Sequence, residues 1–393
     1  MRVLIVTWDG GGNVPPALAL GRRLLARGHR VRVVGSEALA PDVEQTGCEF
    51  EPFVGVPRWA TPHGRFHSSE FGAMVTMITG TAVPETIVAA LQCESVDAMV
   101  VDCFLLNAFA VAEREHIPCA ALFHLLYQPH VEGSWAPVWD GAMALLNSTR
   151  TQLGVAPMDL GRDVWDAQAR VLVATPPELD FALARPAPNV CYVGPIVDGE
   201  VAAWPDDLPW RFDSGPPLVV VSFSTNDYDH LPVLQRVLDA VAGMDVRALV
   251  TVGPAIEPDD LIAAANTVLR RWVPHSGVLP HASVVVTHGG HGTVMSSLTH
   301  GVALVCIPTS PEQGFQAERI GTIGAGRPLT VDASVDQIKA AIDDVMSSAT
   351  FGDAAQAVAA SIERLRGGTR AVAEVEEMTA ESRVRRRRHR PFA

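Results

Sequence analysis

The sequence predicts two consecutive α/β domains, each a parallel sheet covered by helices, and three observations lead there. Short, wholly apolar strand patterns alternate with helical periodicity in both halves of the chain, which is the rhythm of repeated β-α-β units. At 393 residues and 42.0 kDa, the chain exceeds the size at which a single core keeps growing. Between 194 and 217 it turns rich in Pro, Gly and Asp without a sustained period, as an interdomain linker does.

In the first half, Val3 to Thr7 reads as a strand, Pro16 to Arg27 as a helix and His29 to Gly35 as the next strand. Ala98 to Val101 forms a strand ending at Asp102, Phe109 to Glu115 a helix, and Ala120 to Phe123 a strand ending at His124. Ala169 to Ala174 and Cys191 to Gly194 complete this sheet. The second half offers strands at Leu218 to Ser222, Ala248 to Val252, Val268 to Arg270, Val284 to Thr287 and Leu304 to Ile307. Helical stretches between and after them run over Leu231 to Ala242, Thr293 to Thr299, Gln313 to Ile320, Asp336 to Ser347 and Ala354 to Arg364. The expected domains are 1–200, a linker at 201–216, 217–370, and a frayed extension at 371–393 with a basic tail. Ligands of such folds lie in the cleft outside the strand ends.

Composition narrows the function. A formal charge of −14 argues against general nucleic-acid binding, which requires a basic footprint. The run Ser382 to Arg390 is a local exception and reads as a solvated end, with a polyanion or membrane-surface contact as the alternative. Six cysteines without a CxxC spacing suit buried, reduced thiols in a cytoplasmic protein rather than a disulfide framework. No run approaches 18 uninterrupted apolar residues, so no membrane-spanning helix is expected. No assembly pattern stands out, and monomer or homodimer stays open.

The densest chemistry lies between 270 and 320. Trp272, followed by Val273 and Pro274, offers a flat indole in a turn. The strand Val284 to Thr287 runs into His288-Gly289-Gly290-His291-Gly292-Thr293, where glycines permit close backbone approach and a helix N-terminus offers N–H groups to an anion. Thr293 can donate to that anion or cap the helix. Downstream, Glu312 and Gln313 pair a carboxylate with an amide, a combination suited to sugar hydroxyls.

This arrangement, RRWVPHSGVLP then VVVTHGGHGTVMSSL then GVALVCIPTSPEQGFQAERI, resembles the donor-binding signature of bacterial nucleotide-sugar glycosyltransferases acting on macrolides, aromatic polyketides and enediynes. The resemblance spans roughly residues 2 to 320. It implies the GT-B architecture, two Rossmann-like α/β domains facing across a cleft. It also implies that Trp272 stacks on uracil or thymine, that His288 and Gly290 contact phosphate, and that Glu312 and Gln313 hold the sugar. Thr225, in Ser222-Phe223-Ser224-Thr225, matches a phosphate-side loop that commonly carries glycine where Ser224 stands. Counting back from Arg27-Gly28-His29, the family's catalytic histidine falls on Asn13, whose amide has no useful basicity.

Asp102 resembles the family aspartate that partners that histidine. His124 and Asp102 are the candidates for the base, since imidazole titrates in the useful range and burial can raise a carboxyl. No clustered His/Cys/Asp metal-ligand set is evident, and no metal or resident cofactor is expected. Trp59, Phe66, Met77, Tyr127 and Trp135 fall in loosely patterned regions suited to an apolar acceptor pocket. The expected function is inverting transfer of a hexose or deoxyhexose from a UDP- or dTDP-sugar to an oxygen of a hydrophobic small molecule. The alternatives are C-glycosylation of an activated aromatic carbon, nucleotide-sugar epimerisation, and a catalytically silent sugar-nucleotide-binding partner protein.

Overall fold

The computed structural model describes residues 1–57, 68–181, 186–197, 202–211, 213, 215–223, 230–254 and 256–388. These fall into two compact units: unit 1 holds the described residues up to 197 together with 365–388, and unit 2 holds 202–364.

Unit 1 runs β1 (Arg2–Thr7), α1 (Val14–Ala26), β2 (Arg30–Gly35), α2 (Ala40–Glu44), β3 (Glu49–Pro52), α3 (Ser68–Thr79) and α4 (Ala82–Cys93). It continues with β4 (Ala98–Asp102), α5 (Leu106–Arg114), β5 (Cys119–Phe123), α6 (Gln128–Val131), α7 (Ala136–Gln152), α8 (Gly161–Asp166), β6 (Arg170–Val173) and β7 (Val190–Tyr192). All the strands pair in parallel, in the order β3-β2-β1-β4-β5-β6-β7. Every residue of β4 and β5 is buried, which is why AMVVD and CAALF carry apolar residues on both faces. Pairing of Asp102 with Leu122 brings the end of β4 beside the loop that starts at His124.

Unit 2 runs β8 (Leu218–Ser222), α9 (His230–Ala242), β9 (Arg247–Thr251), β10 (Thr267–Arg270), α10 (His275–Val278), β11 (Val284–Thr287) and α11 (His291–Thr299). Then come β12 (Leu304–Cys306), α12 (Pro311–Thr322), β13 (Gly326–Pro328), α13 (Val335–Ser347) and α14 (Ala349–Leu365). Its sheet has the order β10-β9-β8-β11-β12-β13, again all parallel. Both units therefore reverse strand order beside their own first strand, and such switch points are where doubly wound sheets accept ligands.

Two stretches depart most from the sequence expectation. The stretch Gly72–Cys93 is long and apolar enough, at a mean hydropathy of 1.5, to cross a membrane by length and composition. Here it divides at Gly80 into α3 and α4, and Met77, Ile78, Val83 and Ile87 are buried within unit 1. The last segment is helical as α15 (Gly367–Arg388). Its Ala371, Val372, Val375 and Met378 enter the core that contains Ala17, Leu18 and Leu24 of α1. Polar anchors flank this apolar face: Arg170 reaches Glu374 at 2.9 Å and Glu381 at 2.8 Å, and Glu376 accepts from Arg27 and pairs with His29 at 2.8 Å.

Candidate active site

In unit 1 the site grows from the ends of β1, β4 and β5. Asp102 is buried, and its oxygens are filled from three sides. Oδ1 accepts from Trp8 Nε1 at 3.2 Å and from the Phe104 backbone N–H at 3.0 Å. Oδ2 accepts from Asn13 Nδ2 at 2.9 Å and lies 3.6 Å from His124 Nδ1. Cys103 Sγ stands 3.9 Å from the same imidazole nitrogen. His124 is only 6% exposed. Burial holds its imidazole below the ordinary histidine range while Asp102 pulls the other way, so the ring is neutral near pH 7 and free to accept a proton.

The expectation that asparagine occupies the place of the site's histidine is corrected here. Ligand atoms of Asp102, Cys103 and His124 all lie within 4.8 Å of one another, so the histidine beside the aspartate is His124, delivered by the β5 end. Parallel pairing of β4 with β5 brings it there, a contact between residues 22 positions apart that no local motif announces. The same grouping corrects the expectation that no His/Cys/Asp set is clustered. Asn13 is 1% exposed. It sits at the N-cap position of α1 with helical backbone angles and no side-chain cap hydrogen bond, and its Nδ2 is directed to Asp102, Thr7 Oγ1 and Trp8 O. Gly10 is required next to it: a Cβ there would lie 2.8 Å from Asn13 Oδ1 and 2.9 Å from the Trp8 ring.

An aromatic wall adjoins His124. Phe104, half-buried, meets it edge-on with ring centroids 5.6 Å apart, and packs on Trp139 at 5.0 Å. Trp139 Nε1 donates to His130 Nδ1 at 3.1 Å, and His130 stacks on half-buried Trp135. Burial and neighbouring His124 push the His130 pKa down to about 3, so this ring accepts from Trp139 as a neutral group. Tyr127 and Met77 are fully buried, Tyr127 edge-on to Phe123 at 5.0 Å. Both side chains are closed to solvent. Trp59 and Phe66 lie outside the described residues.

In unit 2 the corresponding place is the end of β8 and β11. His288 directly follows β11 and is buried, with Nδ1 3.3 Å from Thr287 Oγ1. Burial, aided by His230, pushes its pKa down to about 3. Gly290 caps α11 without a side-chain bond. A Cβ on it would fall 2.4 Å from His288 Nε2, so glycine alone lets the imidazole edge lie over the helix entrance. Thr293 is thus in the first turn, not the cap. Trp272 is 74% exposed while Val273 is buried, leaving a free indole on a fixed stem. His275, pushed down to about 4 by burial, meets Ser222 Oγ at 3.2 Å.

Gln313 is buried, and its Oε1 accepts from Thr309 N, Thr309 Oγ1 and Ser310 N. Glu312 beside it is partly exposed, and desolvation raises its carboxyl to about 7. Thr225 lies outside the described residues. Sequence reasoning missed Trp8, Phe104, Thr309 and His230. For His230 a signal existed, a histidine opening the amphipathic α9, but only the tertiary fold shows what it faces.

Comparison with known proteins fits both halves. Residues 3–126 match the glycosyltransferase family 28 N-terminal domain, and 235–378 match the erythromycin biosynthesis protein CIII-like C-terminal domain. A UDP-glucosyltransferase B1 of Starmerella bombicola is 27% identical over 409 residues, covering 90% of this chain and 93% of its own. The crystal structure of the glycotransferase of kitacinnamycin superposes with a TM-score of 0.82 at 22% identity, over 96% of this chain and 98% of that one; it shares the two-domain GT-B fold. The 4'-demethylrebeccamycin synthase of Lentzea aerocolonigenes is 31% identical over 374 residues, 83% of this chain and 86% of its own. On that relationship, the chain belongs to the nucleotide-sugar-dependent natural-product glycosyltransferases of GT-B fold.

Proposed function

We propose that the protein moves a hexose or deoxyhexose from a UDP- or dTDP-sugar to an oxygen of a hydrophobic natural product, with inversion at the anomeric carbon. The observation that carries this reading is the buried pair of His124 and Asp102, 3.6 Å apart at the end of two adjacent strands. With Nδ1–H turned to Asp102, the lone pair of Nε2 takes the acceptor hydroxyl proton as its oxygen attacks the anomeric carbon. Asp102 steadies the imidazolium that forms, and Asn13, Trp8 and the Phe104 N–H fix Asp102 in turn. The bond from sugar to diphosphate breaks in the same step, and the first turn of α11 with His288, Gly290 and Thr293 meets the charge of the departing diphosphate.

Trp272 stacks on the base with Val273 as its anchor, and Glu312 and Gln313 hold the sugar. Thr225 is retained as a phosphate contact. Trp135 and Phe104 face the acceptor, with Trp59 and Phe66 added from outside the described residues and Met77 and Tyr127 supporting from the core. The names of the relatives from Lentzea and Starmerella support a natural-product acceptor and a UDP-sugar donor respectively. Six free thiols favour work in a reducing compartment.

Incubation with UDP- and dTDP-sugars and a panel of aromatic and macrocyclic aglycones, read by mass spectrometry and by NMR at the anomeric proton, tests the reading. An inverted O-glycoside with release of nucleotide diphosphate is the expected product. A carbon-linked product, or donor consumption without acceptor, would replace it with one of the other chemistries.

A further inference from the structure

His230 opens α9 with 1% of its surface exposed, and its Nε2 lies 2.7 Å from Thr309 Oγ1. The direction of the hydrogen bonds follows from counting protons. Gln313 Oε1 lies 2.8 Å from Thr309 N and 3.2 Å from Ser310 N. Two backbone N–H groups can only donate, so the atom facing them is the amide oxygen and the amide cannot be flipped. The Thr309 hydroxyl, 2.9 Å from the same oxygen, therefore spends its single proton on Gln313. It must in turn accept from His230, which fixes His230 as the Nε2–H tautomer.

Gln313 Oε1 is then filled by three donors, and what the residue can offer outward is its two Nε2–H bonds. Glu312, acceptor-only when ionised, stands next to it. On the far side, the His230 ring lies 5.4 Å from that of His288, and Phe223 packs on both. One buried imidazole thus borders the phosphate-side histidine and holds the sugar-side amide through a threonine.

We propose that His230 and Thr309 form a positioning relay that supplies the third donor to Gln313 Oε1 and so holds in place the amide that the Thr309 and Ser310 N–H groups orient, with its two Nε2–H bonds left for the sugar. The sugar must then present a hydroxyl oxygen to Gln313 beside a hydroxyl proton for Glu312, and a donor deoxygenated at the Gln313 position is discriminated against. This rests on the reading of Glu312 and Gln313 as the sugar site. A site built to bond a hydroxyl rejects an analogue lacking it far more strongly than an apolar pocket rejects a methylene.

The test compares His230→Phe, Thr309→Val and Thr309→Ser with the unaltered protein by calorimetry. The probes are UDP and UDP-glucose, dTDP and dTDP-glucose, and the 3-deoxy and 4-deoxy forms of each sugar nucleotide. In His230→Phe and Thr309→Val, affinity for the sugar nucleotide falls by about tenfold, the equivalent of one neutral hydrogen bond. Affinity for the bare diphosphate holds, the preference for the hydroxylated sugar over one deoxy form narrows, and Thr309→Ser restores both. The double variant His230→Phe/Thr309→Val loses no more than either single one. Parallel weakening of nucleotide and sugar nucleotide, or unchanged discrimination in Thr309→Val, overturns the relay. Equal affinity of the unaltered protein for UDP and UDP-glucose, and for dTDP and dTDP-glucose, overturns the sugar-site reading itself, and the relay with it.

Discussion

Both units share one six-strand order, β3-β2-β1-β4-β5-β6 in unit 1, where β7 adds a seventh strand, and β10-β9-β8-β11-β12-β13 in unit 2, yet their switch points are furnished differently. At the end of β4 and β5, unit 1 collects a carboxylate, a thiol and an imidazole in a buried group walled by Trp8 and Phe104. At the end of β11, unit 2 offers glycine backbone, a helix entrance and an imidazole kept neutral. The topology selects where a ligand goes, and the side chains at the strand ends decide what happens to it. The candidate site of unit 1 is built around a buried histidine–aspartate pair, and that of unit 2 around a helix entrance, neutral imidazoles and the Glu312 carboxyl.

This contrast can be broken by substitutions that act on one half alone. The largest effect is expected for His124→Ala, with kcat reduced by about 10²–10⁴-fold and calorimetric affinity for the sugar nucleotide unchanged. A matching loss of donor affinity would show that the two switch points are not separable. Because burial lowers the His124 pKa below the usual histidine value, the acid limb of kcat/KM lies below about pH 6.5 in the unaltered protein. The same shift makes acid destabilising: stability falls as pH drops from the unfolded histidine value toward the folded one.

Trp272→Ala comes next, because an exposed indole contributes to binding without contributing much to the core. Nucleotide Kd should rise by about tenfold while Tm stays put; a fall in Tm with unchanged Kd would return Trp272 to a packing role. Glu312 sharpens the comparison from the unit 2 side, as a group there that does titrate. With its carboxyl raised to about 7, sugar-nucleotide affinity should weaken by about twofold over the first half pH unit below neutrality, and more steeply below that toward the tenfold-per-unit limit of one proton. Glu312→Gln should flatten that slope. The folded protein holds a proton that the unfolded chain releases near pH 4.5, so stability declines as pH rises from there to about 7, and Glu312→Gln removes that decline. The smallest effect is expected for Arg383→Ala, which breaks an exposed pair with Asp97 at 2.7 Å and should cost less than about 1 kcal/mol in chemical denaturation.

Much of unit 2 was legible because its candidate site is local in sequence. His288, Gly290, Glu312 and Gln313 announce themselves by a strand-glycine-helix run and a helix start, each readable within a few residues. In unit 1 the strand ends were legible, but the meeting of Asp102 with His124 depends on the register of β4 against β5, and the use of Asn13 on the path of the loop after β1. These are tertiary facts. β3 and β13 escaped because EFEP and GRP lack an apolar run, and their place at sheet edges comes from neighbours rather than propensity. The helix Ala136–Gln152 carries Pro137 and Gly141 and an indistinct stripe. The arginines near the end read as a solvated tail because charge alone does not reveal acidic partners; Arg383 finds one 286 positions earlier.

The return of α15 to unit 1 has a consequence for the order in which the protein is made. Ala371, Val372, Val375 and Met378 sit in the same core as Val3, Ile5 and Leu20, so unit 1, begun before unit 2, is finished only after it. Its apolar slot along α1 stays open while all of unit 2 is synthesised, a wait of roughly ten to thirty seconds at ordinary elongation rates. Removal of α15 would uncover the apolar residues of α1 that it packs against.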